Sequence, residues 1–116
     1  MDSRDIYAEY LRLSGWEVED VTDGEEALAV AATFGPHVIV MDVGMPALDG
    51  LETTRRLKRD ARTRHVPVVC VTSYTHREHD ALRAGCAAFV PKPCEPAALL
   101  ALIERMVAQP APSADV

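Results

Sequence analysis

Asp42 ends the apolar run Val38–Met41, Thr72 ends the run "PVVCVT", and Lys92 follows the run Ala87–Val90, between two prolines. A carboxylate, a hydroxyl and an ammonium brought to one place suit phosphoryl transfer. The carboxylate can act as nucleophile toward a phosphoryl group. The hydroxyl and ammonium can bind the phosphoryl oxygens, a largely electrostatic task. Each residue alone says little, since an Asp after a strand is ordinarily a turn former and a lone Lys is ordinarily solvated. The set, on successive strand ends, is more specific. A charge closing a buried run is costly unless something pairs with it. Asp42 therefore belongs at an edge that water and ligands reach.

The elements that would bring these ends together are legible in the periodicity. Asp2 can cap a first helix, with Ile6, Tyr10 and Leu13 on one face, Tyr7 and Leu11 beside it, and Gly15 as its stop. Trp16 to Val21 reads as a short strand. Asp23, with Glu26 in the capping-box position, opens a second helix that Gly35-Pro36 ends. Its inward residues are Ala27, Leu28, Val30, Ala31 and Phe34. Val38–Met41 and Pro67–Thr72 are apolar on both faces, as strands of a covered parallel sheet are. Asp49 with Glu52, and Thr75 with Glu78, open two further helices, and Gly85 closes the second. Ala87–Val90 is the last strand. Glu95 and Pro96 start an apolar helix that runs to about Val107. Four strands alternate with five helices in this reading of the 116 residues. Such alternation predicts an α/β fold, a doubly wound parallel sheet with helices on both faces. Ligands in such sheets bind beyond the carboxyl ends of the strands. Pro93 after Lys92 suits a cis bond.

Composition narrows the function classes. The chain has 116 residues, 48% hydrophobic and 26% charged, with net charge −6. That is one ordinary globular domain. A net acidic chain argues against nucleic acid as partner. No apolar run approaches the ~20 residues of a membrane span, and no signal peptide is evident. The expected compartment is the cytoplasm. Arg55, Arg56, Lys58, Arg59, Arg62 and Arg64 read as a solvated helix face and loop. Cys70, Cys86 and Cys94 fit no zinc spacing and read as reduced thiols. His76 and His79 lack an evident third metal ligand and read as exposed. "QPAPSADV" reads as a disordered tail, so the expected domain is 1–108 with a tail at 109–116.

The segments "MDVGMPALDG", "VTSY", "AAFVPKPCEP" and "DGEEAL" resemble the motifs of bacterial response-regulator receiver domains. The resemblance covers the chain from Asp2 to about Val107, in the family's order and spacing. It implies a flavodoxin-like fold with strand order 2-1-3-4-5. It implies a module of two-component or phosphorelay signalling, not an enzyme in its own right. Asp42 would be the phosphoacceptor for a histidine kinase or phosphotransfer protein. Gly44 would offer its carbonyl, with Asp42, to Mg²⁺. Thr72 and Lys92 would bind the phosphoryl group, and Phe89 matches the aromatic switch position. Met45, Pro46 and Gly50 match the loop that shapes the pocket. A downstream protein would dock on the region of the last strand and last helix. The oligomeric state is left open, a homodimer included.

The chain departs from the family at its start. Receivers open on a strand ending in an acidic pair that binds Mg²⁺, and both are absent here. Asp2 matches a position a few residues after the pair. In the family that strand lies between the Trp16–Val21 and Val38–Met41 strands. Its loss would leave unpaired ladder edges and an open slot, closed by the flanking strands, filled by another chain, or left in a marginal fold. Mg²⁺ prefers a near-octahedral oxygen set, so its binding is expected to be impaired.

A second reading follows from the same omission. It is a degenerate receiver that binds a partner without phosphorylation, through Phe89 and the helix carrying Leu99, Leu100, Leu102, Ile103, Met106 and Val107. A haloacid-dehalogenase-type enzyme would need an acid two residues after Asp42, where Gly44 stands. A nucleotide-binding flavodoxin-like protein would need a Gly-rich phosphate loop, and none follows any strand.

Overall fold

The computed structural model describes residues 3–41, 50–73 and 78–108, with side chains from Ile6 onward. Asp2, Asp42, Gly44, Met45, Pro46, Asp49, Thr75, His76 and the tail from Gln109 lie outside the described residues.

Local chemistry sets the helix limits. Helix α1 spans Ser3–Leu13 and α2 spans Gly24–Phe34. At the start of α2 the Asp23 carboxylate accepts the Glu26 N–H at 2.8 Å. The Glu26 carboxylate reaches back to the Thr22 N–H at 3.2 Å, a capping box shifted by one residue. At its end Gly35 takes the left-handed conformation, φ 68 and ψ 52, which costs a glycine little. Asp23→Ala leaves the first-turn donors to water and is expected to cost about 1 kcal/mol in urea unfolding, with Asp23→Asn close to neutral.

Three parallel strands follow, β1 (Ile39–Met41), β2 (Val68–Thr72) and β3 (Ala88–Pro91), in the order β1-β2-β3. Helices α3 (Gly50–Arg59), α4 (Glu78–Ala84) and α5 (Pro96–Ala108) come between and after them. The register pairs Met41 with Cys70 and Thr72 with Pro91. Side chains alternate between two apolar layers, as the pleat requires. Met41, Val68 and Cys70 face a layer with Ala31, Leu51, Leu57, Ala81 and Ala84, from α2, α3 and α4. Val69 and Val71 face Leu11, Leu99 and Ile103, from α1 and α5. The central strand β2 is buried at every residue. This is the doubly wound arrangement that the alternation predicts, and it fits the flavodoxin-like fold that the resemblance implies.

Three sequence expectations need correction. Trp16–Val21 is not a strand, so three strands, not four, are present among the described residues. Nothing described lies beside it to form a ladder, and a strand is a relation between two segments rather than a property of one. Between it and β1 lies a cavity of about 210 Å³. The inward residues of α2 accordingly stay only partly covered, and Ala31 alone on that helix is buried.

Helix α1 buries Ala8 and Leu11, with Tyr7 beside them, whereas Ile6 and Leu13 are 41% and 82% exposed. Weighting by large apolar residues put the stripe one face away from the small Ala8. Finally, Cys70 and Cys86 are joined as a disulfide with their Cα atoms 6.4 Å apart, not separate thiols. The pairing of Cys70 with Phe89 folds the end of α4 back beside the strand, a closeness that residue spacing does not encode. Cys94 remains a free thiol, and burial followed by the nearby Glu95 charge raises its pKa.

The basic residues form the solvated face expected of them. Arg56 bonds Glu52 at 3.2 Å and Glu25 at 3.0 Å. Lys58 differs, because its ammonium donates to the carbonyls of Val66 at 2.6 Å and Arg64 at 3.2 Å. Its stem packs where a Cβ on Gly85 would come within 2.8 Å of its Cγ, and Gly85 has φ +116. In the same loop the Arg62 guanidinium, then its main-chain N–H, hold the Asp60 carboxyl down to about 2 from its ordinary 3.8. A depressed carboxyl stabilises the fold above its unfolded pKa, and loses that contribution as pH falls through its folded value. The window here runs from about pH 4 down to about 2, and solvent screening keeps the effect small. A ¹³C-detected carboxyl titration is expected to place the Asp60 midpoint near 2, and Arg62→Ala to return it toward 3.8.

Candidate functional site

The carboxyl ends of the three strands share one edge, because the strands are parallel and in register. Thr72 closes β2 there and is fully buried. Lys92 follows β3 directly, and its main-chain N–H donates to the Thr72 carbonyl at 2.9 Å. The hydroxyl-bearing and ammonium-bearing residues are thus fastened side by side. The Lys92 side chain is partly buried and also borders the cavity beside β1. The Lys92–Pro93 peptide bond is cis, as the sequence suits. Of Asp42, Thr72 and Lys92, the structure joins Thr72 and Lys92. Asp42, which follows the end of β1, lies outside the described residues, as does Gly44.

Phe89 sits opposite Cys70 in the β2–β3 register. It packs against the layer formed by α2, α3 and α4 and is partly buried rather than enclosed. The other residues named as a partner face divide in two. Leu99 and Ile103 of α5 are each 1% exposed and belong to the core, while Val107 is 38% exposed. Leu100, Leu102 and Met106 pack partly covered at its margin.

The sequence reading missed one connection at this edge. The Tyr7 hydroxyl donates to the Cys94 carbonyl at 3.0 Å. It ties α1 to the turn that carries Lys92, across 87 residues of chain. No spacing signal marks such a bond, although a Tyr on an inward helix face calls for some partner for its hydroxyl.

The described residues do not make up a divalent-metal site. Mg²⁺ asks for several oxygen ligands, with carboxylates foremost. Thr72 offers a hydroxyl and Lys92 a repelling charge. No group of three or more His, Cys, Asp or Glu suited to a metal occurs among the described residues.

A doubly wound parallel sheet with a hydroxyl-bearing residue and a lysine on adjacent strand ends defines a class of α/β modules with a candidate site at the carboxyl edge of the sheet. The particular family follows from comparison with known proteins, since residues 1–104 match the model of the response regulator receiver domain. The chain belongs to that family. It is similar to the polar-differentiation response regulator DivK of Brucella ovis, at 36% identity over 90 residues, covering 76% of this chain and 73% of DivK. Among solved structures it resembles the receiver domain of the sensor histidine kinase PA1611 from Pseudomonas aeruginosa, with TM-score 0.84 and 28% identity over 92% of this chain and 89% of that one. That receiver domain holds a magnesium ion in its active site cleft. The chemotaxis response regulator CheY4 of Vibrio cholerae is also similar, with TM-score 0.81 and 29% identity over 90% of this chain and 88% of that one. The chain is therefore a receiver domain of two-component signalling. No described helix is long and apolar enough to cross a membrane.

Proposed function

We propose that Asp42 is the residue of this receiver domain to which a histidine kinase or phosphotransfer protein passes a phosphoryl group once an acidic pair is supplied beside it, and that phosphorylation changes the surface around Phe89 and α5 which a downstream protein reads. The observation that carries the reading is the bond from the Lys92 N–H to the Thr72 carbonyl at 2.9 Å. It fastens the residues that carry the hydroxyl and the ammonium side by side at the strand edge toward which β1 also runs. In this reading Asp42 is the nucleophile, and Thr72 and Lys92 bind the oxygens of the transferred group. Phe89 serves as the switch residue, a role that its partial burial leaves it room to perform. The family supplies the kinase as phosphodonor, in a cytoplasmic pathway without nucleic acid or membrane as direct partner.

The test is phosphoryl transfer from an autophosphorylated histidine kinase. It is run on this chain and on a form extended at its amino end by an apolar strand that ends in two acids. A base-labile label on Asp42 of the extended form, absent in Asp42→Asn, is the expected result. A label on a different residue, or none in either form, overturns the reading.

A further inference from the structure

Two cysteines meet behind the candidate site. Cys70 stands in the middle of β2, paired across the sheet with Met41 on one side and Phe89 on the other. Met41 directly precedes Asp42 in the chain. Cys86 lies between α4 and β3 and is joined to Cys70 over a sequence separation of 16. The backbone brings the two together without help from the bond. The Cys86 N–H donates to the Ala81 carbonyl at 3.1 Å, and the Ala87 N–H to the Val68 carbonyl at 2.8 Å. Those bonds and the β2–β3 register set the Cα atoms 6.4 Å apart, inside the span that a disulfide bridges.

The reduced state is provided for as well. Cys86 Sγ lies 4.0 Å from Thr54 Oγ1, which donates in turn to the Gly50 carbonyl at 2.7 Å. A Cys86 thiol thus has an acceptor within the core, and both sulfurs sit among apolar neighbours of one layer. The third cysteine, Cys94, packs against the opposite layer, across the sheet, so it does not compete for either partner. Disulfides of cytoplasmic proteins, the compartment proposed above, are ordinarily transient and redox-sensing.

We propose that Cys70 and Cys86 form a reversible thiol–disulfide switch: oxidation by a low-molecular-weight disulfide such as oxidised glutathione fastens the end of α4 to β2 beside Phe89, and reduction by the matching thiol releases it. Cys86 is the entry point, at 6% exposed against 0% for Cys70. Helix α4 has seven residues, too few to hold as a helix without its packing, so its end opens locally and admits the reagent. The Cys86 thiolate attacks one sulfur of the small disulfide, whose S–S bond breaks and releases one thiolate. The Cys70 thiolate then displaces the second from Cys86. The two thiol protons of the protein pass to the two small thiols, and the protein loses the two electrons that the small disulfide gains. Phosphorylation at Asp42 has no part in the proposal, whose readouts need no phosphodonor.

The test equilibrates the 116-residue chain in glutathione buffers of stepped reduced-to-oxidised ratio, quenches with acid, and labels thiols with N-ethylmaleimide in denaturant. Peptide mass spectrometry is expected to show Cys70 and Cys86 both labelled in the reducing buffers and joined to each other in the oxidising ones. Amide hydrogen exchange in the last turn of α4 is expected to be at least about tenfold slower in the oxidised form. Cys86→Ser is expected to abolish that difference and Cys94→Ser to preserve it. Both cysteines labelled at every ratio, separate glutathione adducts on them, or a pair that survives excess dithiothreitol overturns the proposal. So do equal α4 exchange rates in the two forms of the unsubstituted chain.

Discussion

Treated with acetyl phosphate and Mg²⁺, the 116-residue chain is expected to gain little or no label on Asp42. The phosphoryl group is anionic in the transition state and the attacking carboxylate is anionic too. Lys92 brings one positive charge and Thr72 one hydroxyl, and the acidic pair that the receiver family sets beside its phosphoacceptor has no counterpart within the 116 residues. A cation bound to the phosphoryl oxygens supplies several kcal/mol of transition-state stabilisation in such reactions. A loss of even ~3 kcal/mol slows transfer by more than about a hundredfold. Appending an apolar strand that ends in two acids is expected to restore Mg²⁺-dependent labelling, and Asp42→Asn in that form to abolish it. Mass spectrometry of both forms, with and without Mg²⁺, reads the outcome. Efficient Mg²⁺-dependent labelling of the 116-residue chain on Asp42 would sink the expectation, and would turn attention to Asp2 or a neighbouring chain as the source of the missing ligands.

Leu57→Ala is expected to destabilise the fold by about 2–5 kcal/mol, the range for deleting an enclosed leucine. Leu57 is 1% exposed, in the layer with Met41, Val68 and Cys70 between α3 and the sheet. Truncation leaves a void that fixed strands on one side and a helix on the other collapse into only partly. The loss is large against the ~5–15 kcal/mol that hold a domain of this size. Nearby, the cavity beside β1 already leaves part of the sheet uncovered. Leu13→Ala, at a residue 82% exposed, is the matched control and is expected to stay within about 0.5 kcal/mol. Urea unfolding should shift the midpoint of Leu57→Ala with little change in slope. Equal midpoints for the two variants would mean that α3 does not pack on the sheet as described.

Most of the fold could be read from local chemistry. Asp23 and Glu26 mark the start of α2, Gly35 its end, and Pro96 the first turn of α5, because caps and breakers act within a few residues of themselves. The doubly apolar run Pro67–Thr72 told of a strand covered on both sides, and β2 is buried throughout. What escaped was set by distance in sequence. Trp16–Val21 has strand-like residues, but no partner among the described residues makes it one. The Cys70–Cys86 pair, the Lys58 anchor on Val66 and the bond from Tyr7 to Cys94 depend on how separate elements meet. Within the site, Thr72 and Lys92 were legible as strand-end residues, and their neighbourhood follows from a parallel register. For Asp42 and Gly44 the sequence alone speaks.

The position of β2 has a consequence for how the domain breathes. Strands flank it on both edges and every one of its residues is buried. Its amide protons can therefore meet solvent deuterium only when the whole domain opens, so their exchange rates measure the global unfolding free energy. Val40 lies on the edge strand and borders the cavity, with no strand on that side among the described residues, which places its amide among those that exchange through local fluctuation. The spread between those two rates, read in one experiment, gauges how far the sheet loosens at its edge before the domain gives way at its centre.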